Sequence, residues 1–477
     1  MALRPYQEIA VRQVYAKLRE GKKHVMLQMP TGSGKTHVAK AIIEHGIKHH
    51  RRILFIVDRL VLVEQTSESF DDQDIDHGVV QGDNLRFAPW KAIQVCSIQT
   101  LQNMTEWPEH DLAIVDEAHV MYTAMKEYME NNPASPVVGL SATPFTTGLG
   151  LIYDDLVVAT TTSELIEAGW LCGYVAYGPP APALKGVGGG NDFNQKKLAE
   201  AVDTREVVGD VVSHWLELAR GLKTIVFAVD IAHAKHLTAE FVMCGIRADY
   251  VCGYDDEERR TRVLGEFSNG ELEVLINVEV LTKGYDQPDV VCLILARPTK
   301  SLMLHIQMMG RGLRTHSSKS NCLILDHGGN IERLGFPDDP LPTELCTKVK
   351  GVSSKDRREK EEPKPKACPK CKFLKPAQVH TCPSCGFTPE RQADVKHTST
   401  KLERLKKSTI DDKQSIYSQF LHYADQRGYT DGWAAHKYRA FYGVWPRGLS
   451  KDRKEPTSVV RGFITSENIR WAKRRTA

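Results

Sequence analysis

Apolar residues at Val11, Val14, Tyr15 and Leu18 recur at helical spacing and predict an amphipathic helix near 12–20. Next come the apolar run Val25-Met-Leu-Gln-Met29, a glycine-rich turn, and a helical stretch over 38–43. The same alternation returns at 53–57 with 60–69, at 113–115 with a polar stretch, and at 137–140 with Ser141-Ala-Thr-Pro144. Short buried strands alternating with helices predict a parallel sheet covered on both faces. Turn and linker residues break the pattern over 169–195, as in Gly178-Pro-Pro-Ala-Pro182 and Gly186-Val-Gly-Gly-Gly190. A second block alternates in the same way: strands near 224–228, 248–251, 274–276, 290–295 and 322–325, with helices near 232–243, 257–267 and 302–309. It predicts a second α/β domain, and no sequence repeat links the two. Beyond Gly335 the apolar period fades, residues 353–366 are charged, and an aromatic-rich helical tail follows over 416–445.

Composition adds exclusions. Of 477 residues, 41% are apolar and 26% charged, which rules out disorder of the whole chain. The longest apolar runs, such as 290–296, fall short of the roughly 18 residues of a membrane helix. The N-terminus has no apolar signal region. The expectation is a cytoplasmic protein, in a bacterial cytosol or in a host cytosol if phage-encoded, with no membrane partner. The net charge of +3 hides a split: residues 346–477 carry 30 basic and 14 acidic groups, and residues 1–345 carry 33 and 46. That asymmetry fits a polyanion-facing tail and a solvated basic surface with no partner equally well. Seven of the eleven cysteines are scattered, and several of these sit in apolar runs and read as reduced buried thiols.

The chemistry concentrates in Met29-Pro-Thr-Gly-Ser-Gly-Lys-Thr36, set between a strand and a helix. Gly32 and Gly34 allow the backbone, with Ser33, to turn its N–H groups onto phosphate oxygens. Lys35 adds charge toward the β- and γ-phosphates, Thr36 offers a hydroxyl to Mg²⁺, and the helix N-terminus adds positive potential. Asp116-Glu-Ala-His119 follows the apolar strand at 112–115. A carboxylate at a strand's C-terminal end sits beside the phosphate loop in such a sheet, so Asp116 is suited to Mg²⁺ and Glu117 to activating water.

Motif by motif, the chain over 4–330 resembles a superfamily 2 helicase of the DEAD/DEAH-box type. Arg4-Pro-Tyr-Gln7 resembles the adenine-reading element, 29–36 motif I, 116–119 motif II, and Ser141-Ala-Thr143 motif III. Leu281-Thr-Lys-Gly-Tyr-Asp-Gln-Pro288 resembles motif V, and Gln307-Met-Met-Gly-Arg-Gly-Leu-Arg314 motif VI. Over 276–330 the resemblance is greatest to the RadD group of DNA-repair helicases, which has phage and prophage relatives. It implies two tandem RecA-like domains and an ATP- and Mg²⁺-dependent DNA helicase or translocase. Such an enzyme tracks one strand with 3′-to-5′ polarity in repair, recombination or replication. DNA, single-stranded or branched, is the implied partner, together with single-strand-binding or repair proteins. Arg4 and Gln7 would read adenine, and Arg311 and Arg314 would stabilise the transition state from the second domain. Gln307 would contact the γ-phosphate or its water; His119, Ser141, Thr143, Gly284 and Asp286 would couple the two sites. Gln7 also reads as a helix cap. An RNA helicase and a nucleotide-gated DNA-binding adaptor with little unwinding remain as alternatives.

Cys368-Pro-Lys-Cys371 and Cys382-Pro-Ser-Cys385 form two knuckles suited to one tetrahedral structural Zn²⁺. The expected organisation is an ATP-binding domain at 1–168, a connector at 169–204 and a helicase C-terminal domain at 205–335. A charged linker at 336–366, a zinc ribbon at 367–388 and a basic helical tail at 389–477 complete it. In that tail the aromatics fall near i, i+3, i+4 spacing, which favours a small helical core over a stacking and phosphate-binding surface.

Overall fold

A computed structural model describes residues 3–58, 60–178, 192–203, 205–281, 285–347, 366–367, 374–375, 403–404, 409–457, 459–461 and 463–464. The first domain is built on β1 (His24–Gln28), β2 (Ile53–Val57), β3 (Gly78–Val80), β4 (Ile93–Ser97), β5 (Leu112–Val115), β6 (Val137–Ser141) and β7 (Asp155–Val158). They lie in the order β3-β4-β2-β5-β6-β1-β7, and every pairing is parallel. The register puts Leu27 beside Leu140 and Phe55 beside Ile114. Strands β1, β2, β4, β5 and β6 are buried at every residue, as a sheet with helices on both faces requires.

The second sheet contains β8 (Gly173–Gly178), β9 (Thr224–Phe227), β10 (Ala248–Cys252), β11 (Val274–Val278), β12 (Cys292–Leu295) and β13 (Asn321–Leu325). Its order is β10-β11-β9-β12-β13-β8, with a short strand at Glu403–Arg404 antiparallel on β8. Two stretches differ from the sequence expectation. Residues 173–178, read as connector, form β8 because β13 offers a parallel partner from Gly173 beside Asn321 to Tyr177 beside Leu325. Residues 336–347, read as the start of a charged linker, are held by tertiary contacts. Tyr174 donates to Asp338 at 2.5 Å, and the amides of Gly148 and Gly150 donate to the Cys346 carbonyl at 3.1 and 3.0 Å.

The short antiparallel strands Lys366–Ala367 and Leu374–Lys375 pair with each other. The four knuckle cysteines, Cys368, Cys371, Cys382 and Cys385, lie outside the described residues, as does Gly284. In the tail, the helices Ile410–Gln426 and Asp431–Tyr442 pack around buried Tyr417, Phe420, Leu421, Ala424, Ala434 and Tyr438. Lys413 ties this unit to Asp339 at 2.7 Å. Among the described residues no helix is long and apolar enough to cross a membrane.

Candidate active site

The phosphate loop leaves the C-terminal end of β1 and enters the helix Lys35–Lys48. Gly32 and Gly34 have φ of 82° and 81°, a left-handed backbone that L side chains rarely adopt. Ser33 closes the loop from within, its hydroxyl donating to the Pro30 carbonyl at 2.7 Å. A Cβ on Gly34 would stand 2.5 Å from Gln7 Nε2, so the loop is also packed from outside. Lys35 and Thr36 begin the helix, where the free N–H groups and the helix dipole favour an anion.

The helix Pro5–Arg19 braces that loop. Tyr6 and Gln7 each donate to the Ser33 carbonyl, at 2.8 and 3.0 Å. Gln7 Oε1 accepts from the Arg4 amide at 2.9 Å, so Gln7 does serve as a helix cap and reaches the loop with its other end. The Arg4 guanidinium lies 4.3 Å from the Trp170 ring centroid.

Asp116 and Glu117 follow β5. Glu117 has φ of 47°, a strained value for a non-glycine residue that persists only where its surroundings hold it. Its amide donates to Asp116 Oδ1 at 2.9 Å. Desolvation and the neighbouring Glu117 charge raise the Asp116 carboxyl to about 6, while the Lys35 charge acts in the opposite direction. Glu117 Oε2 is 3.2 Å from His119 Nδ1, which is 2.9 Å from Ser141 Oγ. Ser141 Oγ accepts from the Thr143 amide at 3.0 Å. His119, Ser141 and Thr143 therefore hydrogen-bond motif II to motif III, and His119 stands beside the Glu117 carboxylate.

The second domain completes the cleft. Gln307 lies on the buried helix Leu302–Met309, which ends at Gly310 against the phosphate loop: a Cβ on Gly310 would be 2.5 Å from Thr31 Cβ. Arg314 lies over Gly32, its Cγ 3.2 Å from the position of an added Cβ. Arg311 and Arg314 both donate to the Tyr285 carbonyl, and Arg314 pairs with Asp286 at 2.7 Å. Burial and the Arg314 charge lower Arg311 to about 10, with Glu117 and Asp286 opposing. Glu117 thus acts electrostatically on an arginine from the other lobe. A cavity of 940 Å³ also opens between the lobes, lined by Leu62 and Gln65 on one side and by Cys252, Tyr254, Arg260 and Tyr285 on the other.

The residues fit a nucleoside triphosphate with its metal. The two left-handed glycines make room for phosphate beside Lys35, and the Asp116 carboxyl gains from a cation beside it. Gln307 Nε2 is buried with no hydrogen-bond partner among the described residues, a donor suited to a phosphate oxygen. Four contributors have no role assigned from the sequence: Thr31, Tyr6 and Tyr285, which lie inside motif I, the adenine-reading element and motif V, and Trp170, which lies in none. Tyr285 stands inside motif V, where buried Arg311 and half-buried Arg314 need an acceptor. Trp170 meets Arg4 only through the tertiary fold.

Known proteins divide in the same way. The family of the type III restriction enzyme res subunit matches residues 1–146, and the helicase conserved C-terminal domain matches residues 206–316. A 51.5 kDa protein of Lactococcus phage (isolate 7-9) is 28% identical over 396 residues, 81% of this chain and 83% of the phage protein. The IRC3 protein of Saccharomyces cerevisiae, named as an ATP-dependent helicase, is 30% identical over 354 residues. That match takes in 69% of this chain and 51% of the yeast protein, so the chain spans about half of that relative. The EcoKI type I restriction endonuclease subunit of Escherichia coli K12 is 25% identical, over 73% of this chain and 36% of the subunit. Among solved structures, a fragment described as an HsdR subunit of a type I restriction enzyme from Vibrio vulnificus shares the fold. Its TM-score is 0.56 at 23% identity, over 70% of this chain and 65% of that one.

Fold and site together define a two-lobed phosphate-loop ATPase, with RecA-like parallel sheets in tandem. The chain belongs to the superfamily 2 helicases.

Proposed function

We propose that the protein is an ATP-dependent DNA translocase or helicase that hydrolyses ATP in the cleft between its two sheet domains. The observation that carries this reading is the packing of Gly310 and Arg314 of the second domain onto Thr31 and Gly32 of the phosphate loop. Lys35 and the loop amides hold the β- and γ-phosphates, and Thr36 with Asp116 holds Mg²⁺. A metal held there would neutralise charge that develops on the phosphate oxygens. Glu117, aimed by His119, orients and deprotonates the attacking water. Arg311 and Arg314 offset the charge that grows on the phosphoryl oxygens, and Gln307 positions the γ-phosphate or its water. Gln7 and Arg4 read the base.

Hydrolysis becomes movement because the two arginines reach the nucleotide only while the lobes are together. Asp286 and the Tyr285 carbonyl hold both arginines from motif V. A strand lying across the 940 Å³ cleft would then feel each opening and closing. DNA rather than RNA is favoured by the restriction subunits among the relatives. Single-strand tracking with 3′-to-5′ polarity, a role in repair, recombination or replication, and RadD-group kinship follow from the motif resemblance. Cys368, Cys371, Cys382 and Cys385 hold one structural Zn²⁺ in this reading.

The test is ATPase and strand separation on single strands, forks, Holliday junctions and RNA duplexes over a range of salt. The reading expects DNA-stimulated turnover, abolished by Glu117→Gln, with separation of forked DNA. Stimulation by RNA alone would replace the substrate, and stimulated turnover without separation or translocation would leave a nucleotide-gated adaptor.

A further inference from the structure

The C-terminal helical unit buries only part of its aromatic content. Tyr417, Phe420 and Tyr438 fill its core, as the helical spacing predicts. At the far end of the helix pair a second group forms. Tyr423 and Trp433 stack with centroids 5.6 Å apart and planes 16° from parallel. Tyr429 adds a third ring 4.9 Å from Trp433 and is 48% exposed. A ring that served only to fill a core would not be left half in water.

Cations frame these rings. The Arg427 guanidinium lies 5.7 Å from the Tyr423 centroid, and Lys437 Nζ lies 5.6 Å from that of Trp433. His436 and Lys437 follow Trp433 at i+3 and i+4, so the three share a side of the helix Asp431–Tyr442. The neighbouring carboxylates are already occupied: Asp425 pairs with Arg453 at 2.7 Å, and Asp431 with Arg453 and Lys451 at 3.1 Å each. Among the described residues no carboxylate pairs with Arg427 or Lys437. Tyr423 and Trp433 are half-buried against the core and Tyr429 is the exposed ring, so the open π-surface is that of Tyr429, beside two cations, within the segment 346–477 whose charge is +16 (30 basic less 14 acidic).

We propose that Tyr423, Tyr429 and Trp433, with Arg427 and Lys437, form a second single-stranded nucleic-acid contact outside the motor cleft. Unpaired bases stack on the rings, with Tyr429 outermost, and phosphates meet the two cations. Charge complementarity selects this occupant, since an apolar protein partner would leave both cations facing no anion. The choice of nucleic acid as the polymer rests on the motor reading above. The contact would hold the strand while the cleft opens, so that the chain keeps its track between steps.

The full-length protein, without nucleotide, is titrated into fluorescein-labelled oligo(dT) and followed by anisotropy at several salt concentrations. Stacking is worth about 1–3 kcal/mol per base, so Tyr429→Ala should weaken binding by roughly 5- to 150-fold, and Tyr429→Phe should leave it near wild type. Arg427→Gln with Lys437→Gln should flatten the slope of log affinity against log salt by about 0.7 per lost contact. ATPase without DNA and the melting temperature should not move. Wild-type affinity in Tyr429→Ala together with an unchanged salt slope in the double variant would overturn the proposal and leave the patch to a protein partner. The motor reading fails separately. If DNA does not stimulate wild-type ATPase while Tyr429→Ala still loses oligo(dT), this contact stands and the motor falls.

Discussion

Gly310 and Thr31 come from different domains and touch at the floor of the nucleotide cleft, so close that a Cβ on Gly310 would stand 2.5 Å from that of Thr31. The contact joins the middle of motif VI, where its helix ends, to the turn of motif I and sets how far the lobes close. Gly310 has φ of −60°, so alanine meets no backbone strain there. Gly310→Ala should therefore cut ATP turnover by about tenfold or more, a barrier increase of about 1.4 kcal/mol, while each domain melts as before. Steady-state ATPase beside a thermal scan checks this. Normal turnover would mean that the cleft works without this contact.

Gln7 joins the Arg4 amide to the Ser33 carbonyl and so links the helix start to the phosphate loop. Gln7→Ala should reduce the preference for ATP over GTP and raise KM for ATP. Competition between the two nucleotides measures it. A raised KM with the preference intact would assign Gln7 to bracing the loop alone.

Acid should destabilise the second domain. Burial lowers His305 and His233 to about 4 each, and both are 0% exposed. Each is neutral when folded and takes up a proton more readily when unfolded. Their contribution is whole above the unfolded value near 6.5 and is lost as pH falls from there toward 4. For His305 alone the loss at pH 5 is about 2 kcal/mol. Because His305 Nε2 hydrogen-bonds the Gly335 carbonyl from the motif VI helix, ATPase should fail together with stability. Melting scans between pH 8 and pH 5 should be flat at first and then decline. A flat profile throughout would contradict these shifts.

The proposed zinc site makes a prediction of its own. Purified protein should carry about one Zn²⁺ per chain, and Cys368→Ser with Cys371→Ser should remove it. ATPase without DNA should persist, since the phosphate loop and motif VI lie in other domains. Elemental analysis decides, and less than about one zinc per chain in wild type would reject the site.

Much of the active site is legible in the sequence because its pieces are local. A phosphate loop needs glycines and lysine in consecutive positions, and a carboxylate pair needs only a strand before it. Their convergence follows from parallel sheets, which bring loops together at the strands' C-terminal ends. What the sequence conceals is long-range. Gly173–Gly178 has glycine at both ends and reads as turn, yet β13 makes it a strand from about 150 residues away. Residues 336–347 look like linker, and only Gly148 and Gly150 reveal what holds Cys346. The partnership of Tyr285 with both arginines uses a backbone carbonyl, which every residue has, so no residue type signals it.

The most direct test of hydrolysis shared between two lobes is single-turnover ATP cleavage by Arg311→Ala on DNA, measured beside ATP affinity. An arginine acting on the transition state predicts near-normal affinity with cleavage slower by about 10³–10⁵. Cleavage within a few-fold of wild type would show that the first lobe hydrolyses ATP unaided.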